Sequence, residues 1–231
     1  MLAPRYAIYF VPDPDTALYR FGSAALGYDC FTGADIPTLD ALPVDAGAWR
    51  ELTREPRRYG FHATLKAPFR LAEGTTEAEL IGEFAEFSSR IDITATIEPA
   101  VSLLQRFVAI VPVTVHAGLD RLAALCVKHF DCFRAPLTSA DRSRRLAAHL
   151  TARQITHMER WGYPYVFGDF RFHMTLTGAL SADCQEPMLA YLRGGFAGSH
   201  GDGLIEIDRL ALLRQDNPGA PFVVLAHSKI S

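Results

Sequence analysis

Apolar residues recur along the chain with two periods, and the changes of period mark the elements. Residues 1–10 alternate as a strand does. So do Ile91, Ile93, Ala95 and Ile97, the run from Phe107 to Val111, the run from Leu204 to Leu210, and the run from Phe222 to Leu225. Helical spacing predicts a helix from an N-cap at Asp13, with Pro14 at its first position, to Gly27. Thr76-x-x-Glu79 reads as a capping box ahead of Leu80, Phe84 and Phe87 on one face. Leu119, Leu122, Cys126, Phe130 and Phe133 mark another helix. One long helix is expected from Thr138 through Leu146, Leu150, Met158 and Trp161, stopped by Gly162 and Pro164. Residues 30–56 show weak periodicity and read as irregular, a loop over a cleft.

The pattern also repeats. Gly60-Phe-His-Ala-Thr-Leu-Lys-Ala-Pro-Phe69 resembles Arg171-Phe-His-Met-Thr-Leu-Thr-Gly-Ala-Leu180, and each is followed by a helix and two strands. His62 precedes Phe107 by 45 positions and His173 precedes Phe222 by 49. Chance likeness of one decapeptide would not bring its downstream elements with it. The expectation is a duplicated α+β module within one domain spanning 1–231. Its approximate lobes are 57–115 and 165–231, joined by helical connections at 13–27 and 119–161.

Alternation places His62 and Thr64 on one face of a strand, opposite Phe61, Ala63 and Leu65, and extends that polar face to Lys66. The second copy gives Arg171, His173, Thr175 and Thr177 on one face, opposite Phe172, Met174 and Leu176. If the modules pack about a pseudo-twofold axis, both pairs converge on one cleft. Two facing imidazoles suit acid–base chemistry at a single centre, one accepting a proton while the other donates. Threonine hydroxyls can hold nonbridging phosphate oxygens, and Lys66 and Arg171 can offset the charge developing on them. A lone His-x-Thr is an ordinary strand feature; two copies with matching sequels are not. Tyr59, Tyr163 and Tyr165 lie near the motifs, where a ring could stack on a base or ribose, its hydroxyl could bond phosphate, or the side chain could simply pack. Arg134 and Arg145 could reach a terminal phosphate, with surface salt bridging the expected role of Arg145.

Composition narrows the classes. Among 231 residues, 49% are hydrophobic and 21% charged, which supplies a core and argues against disorder. No apolar run approaches the ~20 residues of a spanning helix, so no membrane partner is expected. The opening residues lack the apolar core of a signal peptide. A net charge of −3 argues against a nucleic-acid coat. Two segments are nonetheless basic: Arg50 to Arg70, and Asp131 to Arg160. They suggest a small anionic ligand rather than a long polyanion. The four cysteines form no C-x-x-C pair, so the cytoplasm is the expected compartment. The motifs place no third metal ligand near His62 and His173, and no G-x-S-x-G, P-loop or G-x-G-x-x-G occurs. No cofactor and no metal are expected.

The tetrads His62-Ala-Thr-Leu65 and His173-Met-Thr-Leu176 resemble the signature of the two-histidine (2H) phosphoesterase superfamily. That group includes 2′,3′-cyclic phosphodiesterases and bacterial 2′–5′ RNA ligase-like proteins. Arg58-Tyr-Gly-Phe-His-Ala-Thr-Leu-Lys-Ala-Pro-Phe69, Phe133-Arg-Ala-Pro136, Trp161-Gly-Tyr-Pro-Tyr165 and Phe170-Arg-Phe-His-Met-Thr-Leu-Thr-Gly178 resemble a bacterial branch associated with phosphonate metabolism. The resemblance implies an α+β bilobal fold, with antiparallel sheets lining a V-shaped cleft, helices outside and no metal requirement. It implies that His62 and His173 share the acid and base roles, in an order left open, while Thr64 and Thr175 hold the phosphate. The expected activity is hydrolysis of a small cyclic phosphate, either a cyclic sugar phosphate or a 2′,3′-cyclic nucleotide. The alternatives are RNA end processing or ligation, a non-catalytic binder of nucleotides or sugar phosphates, and a metal hydrolase. Partners are then a small phosphate ester, with nucleic acid only as a short RNA end; the oligomeric state is left open.

Overall fold

Residues 3–147 and 149–230 are described in a computed structural model. Seven strands make one antiparallel sheet: β1 (Arg5–Phe10), β4 (Ala63–Phe69), β6 (Pro99–Leu104), β7 (Phe107–Pro112), β8 (Met174–Thr175), β10 (Arg209–Gln215) and β11 (Val223–Lys229). Their order is β11-β10-β1-β4-β8-β7-β6. Two small ribbons stand apart, β2 (Tyr28–Asp29) with β3 (Ala34–Asp35), and β5 (Ala95–Ile97) with β9 (Ile205–Ile207). The helices are α1 (Ala17–Leu26), α2 (Ala46–Arg57), α3 (Glu77–Arg90), α4 (Ala117–His129), α5 (Ser139–Leu146), α6 (Ala152–Trp161) and α7 (Ala182–His200). The α+β class expected from the repeat, and the antiparallel pairing that the resemblance implies, are what the chain forms. No helix among the described residues is long and apolar enough to cross a membrane.

The strand order shows how the two copies combine. Motif strand β4 lies on the side of the sheet that holds hairpin β10–β11, and motif strand β8 pairs with hairpin β6–β7. Each half of the sheet therefore takes its motif strand from one copy and its hairpin from the other. The helices follow suit: α3 packs on β10 and β11, and α7 on β6 and β7. The segments 57–115 and 165–231 follow the sequence repeat, whereas the sheet interleaves them. This exchange is what carries two distant histidine motifs to adjacent strands at the middle of the sheet.

Local sequence accounts for the element ends. Thr76 and Glu79 cap α3 reciprocally, and the helix buries Leu80, Phe84 and Phe87. Each such side chain removed from water is worth about 1.5–3 kcal/mol. Four expectations need correction. Helix α1 starts after Thr16, whose hydroxyl accepts from Tyr19 N–H, because Asp13 closes a turn on Asp15 N–H instead. Within residues 30–56 lies α2, capped by Asp45; only Trp49, Thr53 and Pro56 are buried, so its apolar stripe is faint in a charged segment. The single helix expected after Thr138 is two, because Thr151 and Gln154 form a fresh capping box that starts α6. The second motif contributes only the two strand residues of β8, not a full strand.

Candidate active site

Strands β4 and β8 meet through one pair, Ala63 opposite Met174. Antiparallel geometry then sets His62 across from Thr175 and Thr64 across from His173, because neighbours on paired antiparallel strands run in opposite order. Ala63 and Met174 are buried, so the four flanking side chains share the other face. All four line one cleft of about 480 Å³, together with Tyr59 and Tyr163.

Both rings are held the same way. His62 Nδ1 lies 2.9 Å from the Gly60 carbonyl, and His173 Nδ1 lies 2.7 Å from the Arg171 carbonyl. A carbonyl only accepts, so each Nδ1 carries the proton that it donates and each Nε2 is left for chemistry. His62 Nε2 sits 3.2 Å from Thr64 Oγ1, placed to accept from that hydroxyl. The turn that presents Gly60's carbonyl needs glycine. Its φ is +74°, and a Cβ there would lie 2.6 Å from Cys30 Cβ.

The surroundings of the two rings differ. Tyr9, fully buried, stacks on His62 with ring centroids 3.9 Å apart. Burial, together with the nearby charge of His173, pushes the His62 pKa down to about 4. His62 is therefore neutral at neutral pH, the form in which Nε2 can take a proton. Among the described residues, the one aromatic ring paired with His173 is that of Phe107, at 5.8 Å between ring centroids.

A family model described as "Protein of unknown function (DUF1045)" matches residues 64–223. The chain belongs to that family. Its curated relatives include the ribose 1,5-bisphosphate phosphokinase PhnN of Janthinobacterium sp. (strain Marseille), 38% identical over 225 residues. That match takes in 95% of this chain and 49% of the relative. The protein of the same name from Laribacter hongkongensis (strain HLHK9) is 34% identical, over 94% of this chain and 50% of its own length. The DUF1045 chain thus spans about half the length of the curated relatives it matches. Among solved structures, Escherichia coli LigT complexed with 3′-AMP aligns over 100% of this chain and 99% of its own, at 13% identity and a TM-score of 0.43.

Four residues expected at the site lie elsewhere. Lys66 is buried on the opposite side of the sheet, with Nζ donating to the Val127 carbonyl of α4 at 3.0 Å and pairing with Asp131 at 3.6 Å. The cause is the register of β4, which shifts twice against β1, once between Thr64 and Lys66. A bulge adds a residue, so the alternation of faces resets after Thr64. Thr177 is fully buried; its hydroxyl accepts from Val108 N–H and donates to the Gly178 carbonyl. Alternation ends with β8 at Thr175, so Thr177 turns into the edge of β7. Arg171 is exposed and donates to the Phe170 carbonyl, outside the cleft. Arg134 is spent on Asp131 and the carbonyls of Ala135 and Arg160.

The cleft also holds residues that the sequence reading missed or misjudged. Arg5, Tyr9, Arg70, Arg144 and Arg145 all line it. Arg70 and Arg144 share Asp141, each at 2.8 Å. Arg145, expected in a surface salt bridge, instead lies over the Tyr163 ring at 5.2 Å, with its Nε buried and without a hydrogen-bond partner. A signal for Arg5 and Tyr9 was present. Arg5 is the lone charge in an otherwise apolar strand, and it shares a face with Tyr9 four residues on. Among the described residues, no three His, Cys, Asp or Glu side chains cluster as ligands for a metal ion.

Proposed function

We propose that the chain is a phosphoesterase that opens a small cyclic phosphodiester by two-histidine acid–base catalysis. The observation that carries this reading is the pairing of Ala63 with Met174, which sets the two His-x-Thr motifs across from each other in one cleft. A phosphodiester needs a base for water, an acid for the leaving oxygen and donors for the nonbridging oxygens. His62, neutral and with Nε2 unprotonated, takes the proton of the attacking water as its oxygen bonds to phosphorus. The ring P–O bond breaks, and His173, protonated on both nitrogens, gives its Nε2 proton to the departing oxygen. With water in place at His62 Nε2, the Thr64 hydroxyl turns from that nitrogen and donates, as the Thr175 hydroxyl does, to a nonbridging oxygen. The product is a phosphomonoester, and proton exchange with solvent resets both rings.

The relatives' name, a ribose 1,5-bisphosphate phosphokinase, and the sequence resemblance to a branch associated with phosphonate metabolism point to a cyclic ribose phosphate as substrate. The kinase chemistry in that name is not assigned to this half-length chain, which has no P-loop. Four free thiols suit a reducing, cytoplasmic setting.

The test is a panel of 2′,3′-cyclic nucleotides, cyclic ribose phosphates and short RNAs, assayed with a chelator present. Turnover of a cyclic phosphate to a monoester under chelation supports the reading. Turnover of RNA ends alone, loss of activity to the chelator, or tight binding without turnover would each replace it with the corresponding alternative.

A further inference from the structure

Two buried polar atoms in the cleft have no partner within the protein: the Tyr9 hydroxyl and Arg145 Nε. Neither is explained by the two histidines. Tyr9 is 0% exposed and its ring lies against His62, while its hydroxyl reaches the neighbourhood of Arg5, Tyr59 and Tyr163. Arg145 lies over Tyr163 and lines the same cleft as Arg5; the charges of Arg144 and Arg5 oppose its own, and among the described residues Asp141 alone of the nearby carboxylates favours it. Tyr9 thus runs from the acid–base centre to a second cluster built on Arg5 and Arg145.

That cluster is short of negative charge. Asp141 is already taken by Arg70 and Arg144. Glu55 faces Arg58. Arg5 donates to the neutral side chain of Gln215, and among the described residues no carboxylate pairs with Arg5 or Arg145. Two guanidinium groups brought together and partly desolvated cost free energy unless an anion joins them. Guanidinium forks match phosphate oxygens, and a monoester carries nearly two charges at neutral pH.

We infer that Arg145 and Arg5, with the Tyr9 hydroxyl, form a second anion subsite that takes a phosphomonoester borne by the same substrate, beyond the scissile phosphodiester. This deepens the phosphoesterase reading and rests on it for the position of the cyclic phosphate. The substrate class is then a cyclic sugar phosphate carrying a second, terminal phosphate, and the product is a sugar bisphosphate.

The first arm of the test compares kcat/KM for a cyclic ribose phosphate with and without a phosphate on its 5-oxygen. The wild type should prefer the phosphorylated form by roughly ten- to a hundredfold, the worth of hydrogen bonds to a charged group. Arg145→Gln should bring that ratio towards one, mainly through KM, and Arg145→Lys should restore part of it. Helix α5 contributes no buried residue to the core, so both variants should fold. The second arm measures calorimetric binding of ribose 5-phosphate, which has no ring to open. Binding that Arg145→Gln weakens at least about tenfold supports the subsite even if no cyclic phosphate is turned over, in which case only the catalytic reading falls. A wild-type ratio near one, or ribose 5-phosphate binding unchanged in Arg145→Gln, overturns the subsite.

Discussion

The two tetrads are nearly the same word, yet the chain builds them into unlike places. The first opens a seven-residue strand, lies under Tyr9 and presents a ring whose pKa falls to about 4. The second opens a two-residue strand and, among the described residues, its histidine pairs with one aromatic ring, that of Phe107. The Nδ1 hydrogen bonds are alike, each donating to the carbonyl two residues before it, and only His62 has a threonine hydroxyl at its Nε2 as well. What separates the two histidines is therefore the ring stacked on one of them, not tautomer. The repeat provides two like imidazoles, and strand β1, which has no counterpart beside β8, makes the pair unequal by laying Tyr9 on one of them. A reaction that needs a base and an acid at one phosphorus needs that inequality.

The largest effects should come from breaking either half of the pair. His62→Ala and His173→Ala should each lower kcat/KM on the cyclic substrate by about 10²–10⁴, and the double variant should lose little more, because the groups act together. Additive losses would mean that the rings serve separate sites. The next effect concerns stability and lies behind the first tetrad. Asp131→Asn strands the buried ammonium of Lys66 and should cost about 3–5 kcal/mol in denaturant unfolding. Lys66→Met, which leaves Asp131 with Arg134 and Arg160, should cost much less and leave KM unchanged. A raised KM there would contradict the bulge that turns Lys66 away from the cleft. Behind the second tetrad, Thr177→Val orphans the Val108 N–H and should lower stability by about 1–3 kcal/mol without altering KM.

The smallest effect sharpens the comparison most. The proposed mechanism needs neutral His62, so the acid limb of the wild-type profile should lie near pH 4. Tyr9→Leu removes the stacked wall and should move that limb up towards the ordinary histidine value, about 6.5. Stability follows the same sign. The folded state disfavours protonated His62, so stability is full above about pH 6.5 and is lost as pH falls through about 4. His62→Gln should flatten that loss, as read from unfolding midpoints across the window.

Much of this was legible in the sequence because the repeat was: the α+β class, the capping box of α3 and the shared polar face of each His-x-Thr pair all follow from periods of two and of 3.6. What the periods do not carry is a change of register. Lys66 was misplaced by one inserted residue in β4, and Thr177 by the early end of β8, since alternation holds only while a strand does. Arg145 was misread for another reason. A charged, short helix has no apolar stripe to reveal which side faces the cleft, and nothing local distinguishes an arginine lying over a tyrosine ring in the cleft from one in a surface pair. The exchange of hairpins between the copies is a long-range fact that no local pattern encodes.

A half-buried, neutral His62 beside a differently placed partner is the central claim. Long-range ¹H–¹⁵N spectra of the imidazole nitrogens, followed from pH 8 to pH 3.5, test that claim on the intact protein. The account predicts a His62 ring with its proton on Nδ1 and Nε2 bare, unchanged through pH 6 and titrating only near 4. A His62 that titrates near 6.5, or that carries its proton on Nε2, would contradict it.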